Sequence, residues 1–206
     1  MSAANVLILG IGNLLWADEG FGVRAVEHLL AHYSFPPQVQ LLDGGTQGIY
    51  LVQHVEEADI LVVFDAIDYG LPPGTLKVVK DEEVPCFMGA KKMSLHQTGF
   101  QEVLAMAQLL GRYPKHLLLI GVQPVELEDF GGSLRPAVKA QIEPAIEIAL
   151  DYLQSFGITA TARNPEVESI NLDHPALAIQ VYEEQRPSET EACRIGDERF
   201  LRRSGS

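Results

Sequence analysis

The 206-residue chain sets 28 acidic against 15 basic side chains, a formal net charge of −13. That balance argues against a nucleic-acid or anionic-membrane partner, because both are bound through lysine and arginine. A hydrophobic share of 47% fits one globular domain with a full core, and two cysteines, Cys86 and Cys193, allow neither a disulfide framework nor a thiolate metal cluster.

Short apolar runs alternate with helical patterns along the chain, the signature of an α/β fold. Val6–Leu9 reads as a buried first strand, followed by the glycine segment GIGNLLWADEGFG and a helix from Glu19 that Pro36-Pro37 stops. Val39–Leu42 predicts a second strand ending at Asp43, Ile49–Val55 a short helix, and Ile60–Phe64 a strongly apolar strand ending at Asp65. A strand over Leu76–Val79, a helix over Thr98–Leu110 and a central strand over Leu117–Val122 come next. The last helix of the domain spans about Pro136–Phe156 with Gly157 as its stop, and Pro144 imposes a kink or a restart. Residues 1–157 form the α/β domain in this reading, and 158–206 a charged, surface-wrapping or partly disordered extension. The N-terminus has no basic region ahead of its first strand and no apolar run reaches the ~20 residues of a membrane span, so a cytoplasmic protein is expected.

The glycine segment resembles a dinucleotide fingerprint only in part. Gly10 and Gly12 fit, but position 15 is Leu, where a third glycine would let the helix approach closely. Asp18 and Glu19 stand where a phosphate would sit and would repel it, so the segment suits a cation. Asp18 is expected to cap the helix, and Glu19 either to complement its dipole or to serve as a ligand. Asp43 and Asp65 close two strands at their carboxyl ends, where open α/β sheets place their ligand crevice, although Asp43 serves equally as a cap of the next turn. His96 lies in the polar stretch Met93–Gly99 ahead of a helix, whereas His28, His32, His54, His116 and His174 read as surface or packing residues. Two carboxylates and one imidazole make a donor set for a borderline divalent ion. Cys86 lacks the setting of a nucleophile, and Lys91-Lys92 read as a solvated pair able to steer an acidic segment.

Taken together, GIGNLLWADEGFGVR, LLDGGTQG, VVFDAIDYG, PGTLKVV, DEEVP, KMSLHQTGF and LLLIGVQP resemble the hydrogenase maturation proteases over about residues 5–157. WADEGFG, DAIDYG and KMSLHQ look most like the members that serve membrane-bound uptake hydrogenases. The resemblance implies a three-layer αβα sandwich around a twisted, mostly parallel sheet. It implies an aspartyl-type endopeptidase whose partner is the nickel-loaded large-subunit precursor of a nickel–iron hydrogenase, from which a C-terminal peptide is removed. Glu19, Asp65 and His96 match the nickel-contacting positions, the nickel being supplied by the precursor, and Asp43 matches a further acid near the cleft. Whether the metal acts as Lewis acid, or only docks the substrate while Asp43 or Asp65 assists water, stays open at this level. Competing readings are a non-catalytic nickel chaperone, a nucleotide-binding α/β module and an enzyme resembling peptidyl-tRNA hydrolase. The last needs a basic groove that a net charge of −13 does not offer.

Overall fold

The computed structural model describes residues 3–88, 95–163 and 179–185. Five strands form one sheet in the order β3-β1-β4-β6-β5: β1 (Val6–Ile11), β3 (Val39–Gly45), β4 (Ile60–Ala66), β5 (Leu76–Lys80) and β6 (His116–Val122). β1, β3, β4 and β6 run parallel, and β5 pairs antiparallel with β6 at one edge. β1 and β4 are buried at every residue, which their unbroken Val/Leu/Ile runs require in a sheet covered on both faces.

Successive residues of β4 alternate between two cores. Ile60, Val62, Phe64 and Ala66 join Phe21, Ala25, Val26 and Leu29 of α1 (Phe21–His32), with Ile146 and Leu153 of α6 (Ile142–Gln154). Leu61 and Val63 face the opposite core with Val55 of α2 (Val52–Glu57) and Phe100 and Val103 of α4 (Leu95–Leu109). The result is a three-layer αβα sandwich.

Several boundaries differ from the sequence expectations for identifiable reasons. α1 begins at Phe21 because a 3-10 turn, Ala17–Gly20, carries Asp18 and Glu19 ahead of it. It ends at His32, where the chain straightens into β2 (Tyr33–Ser34), before Pro36-Pro37 is reached. The C-terminal helix is broken at Ala140–Gln141 into α5 (Pro136–Lys139) and α6, so Pro144 lies in the first turn of α6 and interrupts no helical hydrogen bond. Gly157, at φ +75°, ends α6 in a Schellman arrangement, with Gly157 N–H bonded to Gln154 O and Ile158 N–H to Leu153 O. α3 (Glu83–Met88) contains Cys86, and Lys91-Lys92 and His174 lie outside the described residues.

Two described pieces after Gly157 lie against the rest of the structure. β7 (Thr161–Ala162) pairs antiparallel with β2, and α7 (Ile179–Gln185) sets Ile179 against the α1 core.

α1 meets the sheet through two glycines. A Cβ on Gly22 would lie 2.2 Å from Phe64 O and 2.3 Å from Ile11 O, and one on Gly10 would lie 2.3 Å from Gly22 O. Backbone atoms cannot yield to such contacts as a flexible side chain can. Gly22→Ala is therefore expected to destabilise the fold by about 3 kcal/mol or more. Gly111→Ala, at φ +68° with no atom within 4 Å of the added Cβ, should cost only about 1 kcal/mol. Urea unfolding of both variants measures the contrast.

Candidate active site at the carboxyl edge of the sheet

The parallel strands end together at one edge. Gly10 pairs with Asp43 on one side and Phe64 on the other, and Asp65 pairs with Gly121 of β6. Above this edge the chain leaves β1, passes Gly12 at φ +138° and enters the 3-10 turn. Gly12 is held against that turn: its own Cβ would lie 1.8 Å from Glu19 O, and Asn13 N–H donates to the same oxygen at 3.2 Å. The turn packs against β4, so Glu19, half-buried and just ahead of α1, is carried beside the strand that ends with Asp65-Ala66. The helix dipole favours an ionised carboxylate at that point.

Asp65 is fully buried, and its Oδ1 accepts the Ala66 N–H at 2.8 Å. The alternation along β4 turns its side chain to the α4 face. Tyr69 is also buried, with its hydroxyl against Gly121, where a Cβ would lie 2.3 Å from that oxygen. Burial, and after it the charge of Asp65, pushes the Tyr69 hydroxyl above its ordinary range, so it stays a neutral phenol at physiological pH.

Asp43 shares the edge but occupies the other face. Leu41 packs toward α1 and Leu42 toward α4, so Asp43 follows Leu41 to the α1 side. There it adds to the upward shift of Glu27 on α1: burial raises the Glu27 carboxyl most, and the Arg24 guanidinium, bonded to it at 2.8 Å, opposes the shift. β1 separates β3 from β4, which sets the two strand axes roughly 10 Å apart. Asp43 and Asp65 therefore do not form the close pair of carboxyls sharing one proton that a dyad mechanism requires.

His96 is the second residue of α4, in its first turn, because the helix starts at Leu95 where a polar loop was expected. Its side chain lies outside the described residues. α4 packs on α2 and on the 3-10 turn Gly48–Leu51 that follows β3. A Cβ on Gly99 would lie 3.4 Å from Gly48 Cα, so this end of α4 meets the carboxyl edge on the face that Asp65 occupies.

Asp18 is not a helix cap. It is fully buried; its Oδ2 accepts the N–H groups of Val125 (2.8 Å) and Glu126 (2.9 Å), and Oδ1 accepts that of Arg135 (2.7 Å). The segment after β6 is thereby clamped to the turn that carries Glu19, and Trp16 meets Phe130 edge-on with ring centroids 5.2 Å apart. Buried Gln123 completes this side of the edge: its Oε1 accepts the N–H groups of Tyr69 and Leu71, and its amide donates to Asp68 Oδ1. The sequence reading includes Gln123 in LLLIGVQP but gives it no role, and it does not single out the segment after it. The glutamine of GVQP was the available signal, since a polar side chain ending an apolar strand must find partners when buried.

Of the other described histidines, His32 and His116 are exposed and His28 and His54 half-buried. His28 stacks on His32 at 4.0 Å and contacts Glu143 at 2.9 Å, and His116 lies against Phe156. A cleft of about 470 Å³ at the amino edge, lined by Asn5, Asp59, Arg112 and Lys115 among others, is remote from these acids. Its Lys115–Asp59 pair is already closed at 2.7 Å. No described helix is long and apolar enough to cross a membrane.

Residues 23–152 match the family profile of the hydrogenase maturation proteases. The hydrogenase expression/formation protein HupD of Thiocapsa roseopersicina is 68% identical over 97% of this chain and 91% of its own length. The hydrogenase 2 maturation protease of Escherichia coli is 43% identical over 77% of this chain and 96% of its own. Among solved structures, the hydrogenase maturating endopeptidase HybD of Escherichia coli superposes with a TM-score of 0.73 at 42% identity, covering 77% of this chain and 98% of that one.

Removing the Asp18 carboxylate would leave three backbone donors without their acceptor. Asp18→Ala is expected to lower stability by about 3 kcal/mol and to expose Trp16, the single tryptophan of the chain. Urea unfolding followed by tryptophan fluorescence reads both effects.

Proposed function

The chain belongs to the hydrogenase maturation protease family and is a peptidase; from that premise we propose that it removes the C-terminal peptide from the nickel-loaded large-subunit precursor of a nickel–iron hydrogenase. Peptidase membership sets aside the chaperone, nucleotide-module and peptidyl-tRNA hydrolase readings.

The observation that carries the proposal is the convergence on one edge of the turn bearing Glu19, the strand end bearing Asp65 and the first turn of α4 bearing His96. Two carboxylates and an imidazole suit a borderline divalent ion such as nickel, here carried in by the substrate. Glu19 lies on the turn that packs against β4 and Asp65 near the end of that strand, so two separate, firmly held backbone elements would offer the carboxylates that hold the metal. When bound, the metal supplies recognition and polarisation of the neighbouring carbonyl.

Hydrolysis adds water to the scissile carbonyl carbon, breaks the C–N bond and delivers a proton to the departing amine. If the metal only docks the precursor, a carboxylate must accept the proton of water. The facing of the side chains favours Asp65 over Asp43 for that task, because Asp65 shares the α4 face with the helix that bears His96. The neutral Tyr69 hydroxyl near Asp65 is suited to donate a hydrogen bond in the same space.

Incubation of the protein with nickel-loaded and nickel-free precursor, followed by mass measurement, tests this reading. Loss of a C-terminal peptide from the loaded form alone is expected, and an intact loaded precursor rejects the proposal. Glu19→Gln, Asp65→Asn and His96→Ala are each expected to reduce processing by about 100-fold or more. Full activity in all three would reject the site assignment and leave the peptidase standing.

A further inference from the structure

Single exposed apolar side chains are ordinary on a protein surface. Near Glu19, however, three of them stand on neighbouring segments. Leu15, Val125 and Phe130 are 40%, 49% and 64% exposed, and they sit on two segments bound to each other. Gly131 N–H donates to Leu15 O at 2.7 Å, Trp16 packs against Phe130, and Asp18 grips the backbone of Val125.

This lip has a second support on its far side. Glu183 of α7 accepts the Ser133 hydroxyl at 2.8 Å and pairs with Lys139 at 2.8 Å. Burial pushes the Glu183 carboxyl up, but the bonds from Lys139 and Ser133 outweigh it and hold it below the ordinary range. Beside it, Tyr182 lies under the buried Arg24 guanidinium, 5.6 Å from ring centre to Cζ. Ser133 and Arg135 are two residues apart, so the bonds run from Glu183 through this short segment to Asp18, the neighbour of Glu19.

We propose that Leu15, Trp16, Val125 and Phe130 form the docking surface for an apolar stretch of the precursor next to its scissile bond, with Glu183 as the positioning residue that holds this surface against the site. The inference rests on the peptidase reading and deepens it. Charge selects the occupant. Glu126 and Glu128 flank the lip on the same segment, so it suits an apolar peptide with a cationic neighbour. A second copy of a chain of net charge −13 would meet like charge there.

The test uses the full chain, nickel-loaded precursor and the fluorescence of Trp16. Phe130→Ser is expected to raise KM roughly tenfold with kcat within about twofold. Leu109→Ser, at the other end of α4 and 81% exposed, should change neither. Glu183→Gln is expected to red-shift Trp16 emission, increase its quenching by acrylamide and raise KM roughly threefold. The melting temperature should stay within about 3 °C, since an exposed ion pair adds little stability. The charge swap Glu183→Lys with Lys139→Glu should restore both readouts.

An unchanged KM in Phe130→Ser, while the parent cleaves, overturns the docking surface. So does a dimer of the parent that Phe130→Ser dissociates without changing KM, which would give the surface to a second copy. Unchanged Trp16 emission in Glu183→Gln overturns the positioning role. Precursor that shifts Trp16 emission but is never cut supports the lip and rejects the processing reaction instead.

Discussion

The contact of α1 with the carboxyl ends of β1 and β4, backbone against backbone at Gly10 and Gly22, is the constraint on which the rest of the site depends. With no side chain at either position, the helix starts directly on the sheet, its first turn touching Phe64 O and Ile11 O. The four residues ahead of it close into the tight turn that carries Asp18 and Glu19. A dinucleotide fold obtains the same close approach from a glycine three residues after its second one. Here Leu15 occupies that place and Gly22 does the work seven residues later, so an acidic turn fills the space a phosphate would use.

From this contact the electrostatics follow. Asp18 points down into three backbone N–H groups and organises the segment after β6, while Glu19 stays half-exposed on the same turn. Two adjacent acids thus divide their duties: one is consumed by the fold and the other is left at the edge. The same division separates Asp43 from Asp65. Both end strands, but the pleat sends one toward α1 and the other toward α4, and only the latter shares a face with the helix of His96. Asp43 and Asp65 thus face different layers, with β1 between the strands that carry them.

Much of this was legible before any coordinates. The strands, their alternation with helices and the restart near Pro144 follow from apolar runs and proline chemistry, which are local. The acids at strand ends were visible for the same reason. What local reading missed was long-range. Asp18 looks like an N-cap because Asp before a helix usually is one, yet its partners lie 107 to 117 residues away. The loop end assigned ahead of Thr98 belongs to the first turn of α4, which starts at Leu95. Gln123 and Phe130 carry no periodic signal at all.

By itself the sequence determined the alternation of strands and helices and the set of acids at the strand ends, because each depends on residue type and short-range spacing. Only the tertiary structure decided which acid faces which layer, which glycine seats the helix, and that Asp18 and Glu183 both grip the segment after β6. Those outcomes depend on strand order and on hydrogen bonds spanning half the chain, and no local pattern encodes either.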